Sequence, residues 1–159
     1  MANMIYMTLN GAKQGLISEG CSSPFSIGNK HQLSHINQIQ ILCCRHEMTR
    51  DQNVNHHPII ITKPIDKSSP LLGVAISENE SLTCTLDFYR TNENGMQEKY
   101  YTIILNKASI VSIYIDYPHA LNHNDIQPEE SIAIRYADIN WFHHIAGTSG
   151  YSLWEERVW

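Results

Sequence analysis

The chain has no run of basic residues. Its 11 Lys and Arg are scattered among 16 Asp and Glu, for a net charge of -5. The positive stripe that grips a phosphate backbone is therefore missing, and no nucleic-acid partner is expected. Long apolar runs are missing as well. The opening Met1-Ala2-Asn3-Met4-Ile5-Tyr6 carries neither a basic n-region nor an apolar core. No signal peptide, transmembrane helix or membrane anchor is expected. Cysteine is scarce, at Cys21, Cys43, Cys44 and Cys84, and no Cys-x-x-Cys occurs. That excludes the usual zinc-knuckle and thioredoxin signatures. Cys43 and Cys44 would point to opposite faces of a strand, which disfavours a mutual disulfide, so reduced thiols are expected. There is also no Gly-x-Ser-x-Gly and no glycine-rich phosphate loop. Gly147-Thr148-Ser149-Gly150 follows a strand pattern and precedes no helix, so it reads as a turn.

Histidine is plentiful, with 9 residues. His31 and His35, and His119 and His123, have helical i, i+4 spacing, but both pairs lie in polar loop stretches and neither belongs to His-Glu-x-x-His. His56-His57 and His143-His144 are neighbours, which diverge in a strand. Surface and loop histidines are the expectation, with no metal site. The carboxylate pairs Glu129-Glu130 and Glu155-Glu156 read as solvated faces. Trp141, Trp154 and Trp159 crowd the C-terminus, where aromatics pin a last strand or fill a subunit interface. No catalytic, cofactor-binding or metal-ligating residue is assigned, and the chain is not expected to be an enzyme.

What is present is alternation with period two. Strands are predicted over 4–9, 38–43, 59–63, 82–89, 98–105, 110–117 and 132–141, with the chain closing over 151–159. Leu82, Cys84, Leu86 and Phe88 share one face of a half-buried strand, and Asn94-Gly95 is a strong hairpin turn. Residues 14–30 are rich in Gly and Ser and read as loop with one short strand. The segment His56 to Leu72 carries most information. Ile59, Ile60 and Ile61 suit a pleated surface, and Pro64 ends the ladder. Ser69 stands at an N-cap position and Pro70 at the first helical turn, with Leu71, Leu72, Val74 and Ala75 as the apolar side of a helix over 70–77.

A length of 159 residues, 42% hydrophobic and 17% charged, suits one folded domain over 1–159. The fold class is mainly β: a small β-barrel of two packed antiparallel sheets with one flanking α-helix.

These residues also carry a resemblance. It begins at Met4-Ile5-Tyr6-Met7-Thr8-Leu9 and is clearest at His57-Pro58, Thr62-Lys63 and Asp66-Lys67-Ser68-Ser69-Pro70-Leu71-Leu72. It continues through Phe88-Tyr89-Arg90-Thr91, Asn94-Gly95, Tyr136, Ile139 and Trp141 to Gly147-Thr148-Ser149-Gly150-Tyr151-Ser152 and Trp154. The chain resembles the haemolysin-coregulated protein (Hcp) family, the tube subunits of type VI secretion systems, in their plain, unextended form. Leu42-Cys43-Cys44-Arg45-His46 does not follow the family pattern. The resemblance implies a β-barrel with a flanking helix, homohexameric rings, and stacking of rings into a hollow tube. It implies assembly in the bacterial cytoplasm, spike and sheath proteins as partners, secretion without a signal peptide, and a lumen that can hold small effector proteins. A stand-alone β-barrel binding module for a small ligand and an unrecognised hydrolase are the alternatives.

The polar loop over 45–57 is long for a compact domain, which points to a task. Arg45, Arg50 and Asp51 are its candidate contacts in ring stacking, with ring closure left to strand faces.

Overall fold

The computed structural model describes residues 3–155. Glu156 and Trp159, named above, lie outside the described residues. Alternation dominates the local structure as expected. Strand β1 (Asn3–Gly11) is followed by the two-residue β2 (Gly15–Leu16), a one-turn α1 (Pro24–Ile27) and two 3-10 turns. Then come β3 (Ile39–Ile41), β4 (Cys43–Arg45), β5 (Met48–Arg50), β6 (Val54–His56) and β7 (Ile59–Pro64). Helix α2 (Ser69–Glu78) precedes β8 (Leu82–Thr91), β9 (Gln97–Asp116), β10 (Glu129–Arg135), β11 (Asp138–His143) and β12 (Thr148–Leu153).

Two strands predicted over 98–105 and 110–117 are one. β9 runs for 20 residues and bends at Lys107, a non-glycine residue at φ 47°. Its first half pairs with β8 and β11, and its second half with β10, so one strand belongs to both sheets. The strand predicted over 132–141 is instead two, β10 and β11, parted at Tyr136 and Ala137. The pairing order β2-β1-β8-β9-β10-β7-β4 is antiparallel throughout. The ladder does not close into a full barrel. β3 pairs with β1 and β4 with β7, and the ladder breaks between them at Leu42, whose N–H donates to the Thr62 carbonyl.

Between the sheets lie Met7, Leu9, Ile59, Ile61, Cys84, Leu86, Leu105, Ile132, Ile134 and Ile139, all buried. Each fully buried Ile or Leu contributes roughly 1.5–3 kcal/mol against chain entropy. In β8 the buried apolar residues are Leu82, Cys84 and Leu86, every second position, as the alternation requires; Asp87 on the other face is buried as well and accepts from the Thr102 hydroxyl. At the β8–β9 turn, Gly95 takes φ 78°, and the Asn92 carboxamide oxygen accepts from the N–H groups of Asn94 and Met96.

Helix α2 starts one residue earlier than the sequence suggested. Ser68 is the cap residue and Ser69 is already helical, and neither hydroxyl closes a capping bond. Both are taken by carboxylates: Ser68 Oγ donates to Asp66 Oδ1 and Ser69 Oγ to Glu130 Oε1, each at 2.5 Å. Leu72 and Ala75 face the core, while Val74 is exposed, contrary to the apolar side assigned to it.

Those carboxylates belong to a buried ionic cluster. Lys63, with no accessible surface, donates to Asp66 Oδ1 at 2.9 Å, to the Pro64 carbonyl at 3.0 Å, to Ser69 Oγ at 3.2 Å and to Glu130. Glu130 is therefore no solvated face. It joins β10 to the start of α2 through one buried ammonium. At the helix's far end, Glu80 accepts from the N–H groups of Lys13 and Gln14 and from the Gln14 carboxamide. Burial alone would raise the Glu80 carboxyl, but these bonds outweigh it and hold it below the usual carboxylate range.

Candidate assembly site

The segment over 45–57 is not a bare loop. The alternation Met48, Thr49, Arg50 against Val54, Asn55, His56 forms a hairpin, β5 paired to β6 in register Met48–His56, Thr49–Asn55 and Arg50–Val54. Its tip is polar, with Asp51 N–H donating to the Asn53 carbonyl across the turn. Among the described residues it pairs with no other strand, so it stands out from the two main sheets.

The three expected contact residues divide. Arg50 and Asp51 lie together at the exposed tip, and Arg50 Nη2 donates to the Gln52 carbonyl at 3.4 Å. Arg45 is exposed too, but it ends β4 opposite Ile60, at the root of the hairpin. The structure thus brings Arg50 and Asp51 together and leaves Arg45 apart.

The root holds what sequence reading passed over. His56 is buried, not a loop histidine. Its Nδ1 meets the Tyr136 hydroxyl at 2.7 Å and its Nε2 meets Ser152 Oγ at 2.9 Å. His46 Nε2 meets the same hydroxyl at 2.9 Å. Trp154 stacks on His56 with ring centroids 5.6 Å apart and stands edge-on to Tyr136 at 4.9 Å. Arg135 lies over the outer face of Trp154. Burial lowers both imidazoles from their usual range and pushes the Tyr136 phenol far up. The only sequence signal was the adjacency of His56 to a strand. Nothing local linked it to Tyr136, 80 residues away.

The remaining histidines have separate surroundings. His35 stacks on Tyr6 at 3.9 Å, while His31, His119, His123 and His144 are exposed. Among the described residues no three His, Cys, Asp or Glu side chains gather as metal ligands. Burial pushes the Cys21 and Cys44 thiols up to about 11 and Cys84 to about 12. Such thiols stay protonated at neutral pH and are poor nucleophiles.

Other apolar side chains are exposed near the end of β9. Val111, Tyr114 and Ile115 in the strand, with Tyr117, Leu121 and Ile126 in the loop that follows, all reach solvent, and Phe25 is fully exposed. Tyr114 and Ile115, as strand neighbours, point to opposite faces.

The family model described as "Type VI secretion system effector, Hcp" matches residues 6–143. The "Major exported protein" of Pseudomonas aeruginosa is 37% identical over 171 aligned positions, covering 99% of both chains. The solved structure of the secreted protein Hcp3 from Pseudomonas aeruginosa superposes with a TM-score of 0.88 at 37% identity, covering 98% of this chain and 100% of that one. A crystal structure of an Hcp protein gives a TM-score of 0.92 at 30% identity over 98% of this chain and 99% of that one.

Proposed function

The chain belongs to the Hcp family of type VI secretion proteins, and from that premise we propose that it is a structural tube subunit. Subunits close into hexameric rings, and rings stack into a hollow tube. The tube is assembled in the bacterial cytoplasm with spike and sheath proteins and exported without cleavage of an N-terminal signal. Small effector proteins are carried in the lumen. The chain works by assembly and not by catalysis.

The observation that carries this reading is the likeness over nearly the full length of both chains to an exported protein and to secreted Hcp3. The comparisons favour it over the ligand-binding module and the hydrolase. A head-to-tail interface that closes by rotation gives a ring, and burying the apolar strand ends and Phe25 against neighbours would supply its driving force. Stacking needs a second, separable contact. We assign that to the β5–β6 hairpin, whose exposed tip presents Arg50 and Asp51 to a polar rim.

Two tests address the reading. Export should be lost in a strain lacking the sheath; unchanged export there would overturn it. Replacing residues 51–55 with a Gly-Ser bridge should leave single rings intact while stacking and secretion fall. If rings disappear while the sheets still fold, the hairpin belongs to the contact within the ring.

A further inference from the structure

At its root the hairpin meets the rest of the fold where two histidines share one oxygen, with Ser152 and Trp154 packed beside His56. We propose that His46, His56 and Tyr136 form a proton-sensitive latch, which holds the β5–β6 hairpin against the body of the fold at neutral pH and frees it on acidification.

The geometry gives the reason. The phenol has one proton and can accept more than one hydrogen bond. With both imidazoles neutral, it donates to one ring nitrogen and accepts N–H from the other, so the contacts at 2.7 Å and 2.9 Å are both satisfied. A first added proton is tolerated. If His56 is charged, its Nδ1–H donates to the phenol oxygen, its Nε2–H donates to Ser152 Oγ, and the phenol still donates to His46 Nε2. A second proton is not tolerated. Two imidazolium N–H groups then point at one oxygen, the phenol proton loses its acceptor, and two like charges share a partly buried pocket.

The surrounding groups do not relieve this. Along the hairpin, His57 adds a further titratable ring, although its main chain also bonds His46. Arg45 and Glu47 flank His46 in sequence and are exposed to solvent. From the C-terminal side, Ser152, the Leu153 main chain and the Trp154 ring face His56. Arg135 lies beyond Trp154 with its guanidinium 5.1 Å from the ring, and its own partner is Glu155 at 3.4 Å. Among the described residues, none of the contacts to the two imidazoles comes from a carboxylate.

The sign follows from linkage. Released, both rings regain the ordinary affinity for protons, near pH 6.5; latched, they bind protons more weakly. The open hairpin therefore takes up protons, and falling pH favours it by up to about tenfold per pH unit for each proton gained. The latch itself does not depend on the tube reading. Only its consequence, loosening of stacked rings in an acidic compartment, rests on the stacking role proposed above.

Hydrogen exchange of the intact protein, corrected for intrinsic rates, tests it. Amides of 48–56 should lose at least about tenfold protection between pH 7.5 and pH 5.0 while those of β8 and β9 do not change. Tyr136→Phe should lower hairpin protection at pH 7.5. His46→Gln leaves one imidazole to gain a proton on release and removes the clash of two imidazolium donors, so it should cut the pH dependence by about half or more on a logarithmic scale. Equal protection of the wild-type hairpin at both pH values would overturn the latch. So would full pH dependence in His46→Gln, or imidazole resonances of His46 and His56 titrating at or above pH 6.5. If the hairpin opens at pH 5.0 but stacked rings persist, the latch stands and the stacking assignment is what fails.

Discussion

Replacing Lys63 by Met probes the point where helix and sheet are joined. The ammonium has no exposure and touches four oxygens, from Pro64, Asp66, Ser69 and Glu130. Methionine matches the stem in volume but offers no charge and no donor. Two buried carboxylates, Asp66 and Glu130, then lie beside each other with only serine hydroxyls and the Ser68 N–H to serve them. Breaking a buried ion pair by removing one partner costs about 3–5 kcal/mol. For a domain of this size that is a fall in Tm of roughly 6–20 °C. Glu130→Gln is the control. It keeps an oxygen toward Lys63 and leaves Asp66 as counter-charge, so about 1.5–3 kcal/mol is expected, the loss of one charge-assisted bond. Both variants should be unfolded in denaturant at a single protein concentration, because assembly makes apparent stability concentration-dependent. A loss below about 1 kcal/mol for Lys63→Met, or a larger loss for Glu130→Gln than for Lys63→Met, would refute the reasoning.

Three further outcomes are expected. Gly11→Ala should destabilise by about 1–3 kcal/mol in denaturant melts, since an added Cβ would sit 1.9 Å from Glu80 Oε2 and push that carboxylate off the Lys13 and Gln14 N–H groups. Glu80 binds its proton more weakly when folded, so its contribution is complete above the unfolded value of about 4.5 and drains away as pH falls through the lower folded value. The stability gap between wild type and Glu80→Gln should therefore narrow from pH 6 to pH 3 as measured by urea unfolding. Native Cys21, Cys44 and Cys84 should react with a disulfide reagent at pH 8 at least about 100-fold more slowly than in the denatured chain.

Much of the fold was legible because its signals are local. Alternation in β8 names the buried apolar residues Leu82, Cys84 and Leu86, and Asn94-Gly95 marks the turn after it. Ser-Ser-Pro placed the helix within one residue. What escaped was set by tertiary pairing. The register of β9 against three strands makes one strand out of two alternating runs. The polar run over 45–57 hid a hairpin because β5 has no buried residue and β6 has only His56. Glu130 read as surface because its partner Lys63 is 67 residues away. His56 and Tyr136 met for the same reason, through folding and not through spacing. The exposure of Arg50 and Asp51 was legible because a long polar run between alternating strands is itself a sequence signal, whereas the anchor at the root of the hairpin is not.

The central claim is that the chain acts as a closed ring of copies of itself. Native mass spectrometry of the purified protein at micromolar concentration tests that most directly. A dominant species of six times the chain mass is expected, with multiples of it when rings stack. A stable monomer as the main species would contradict the account.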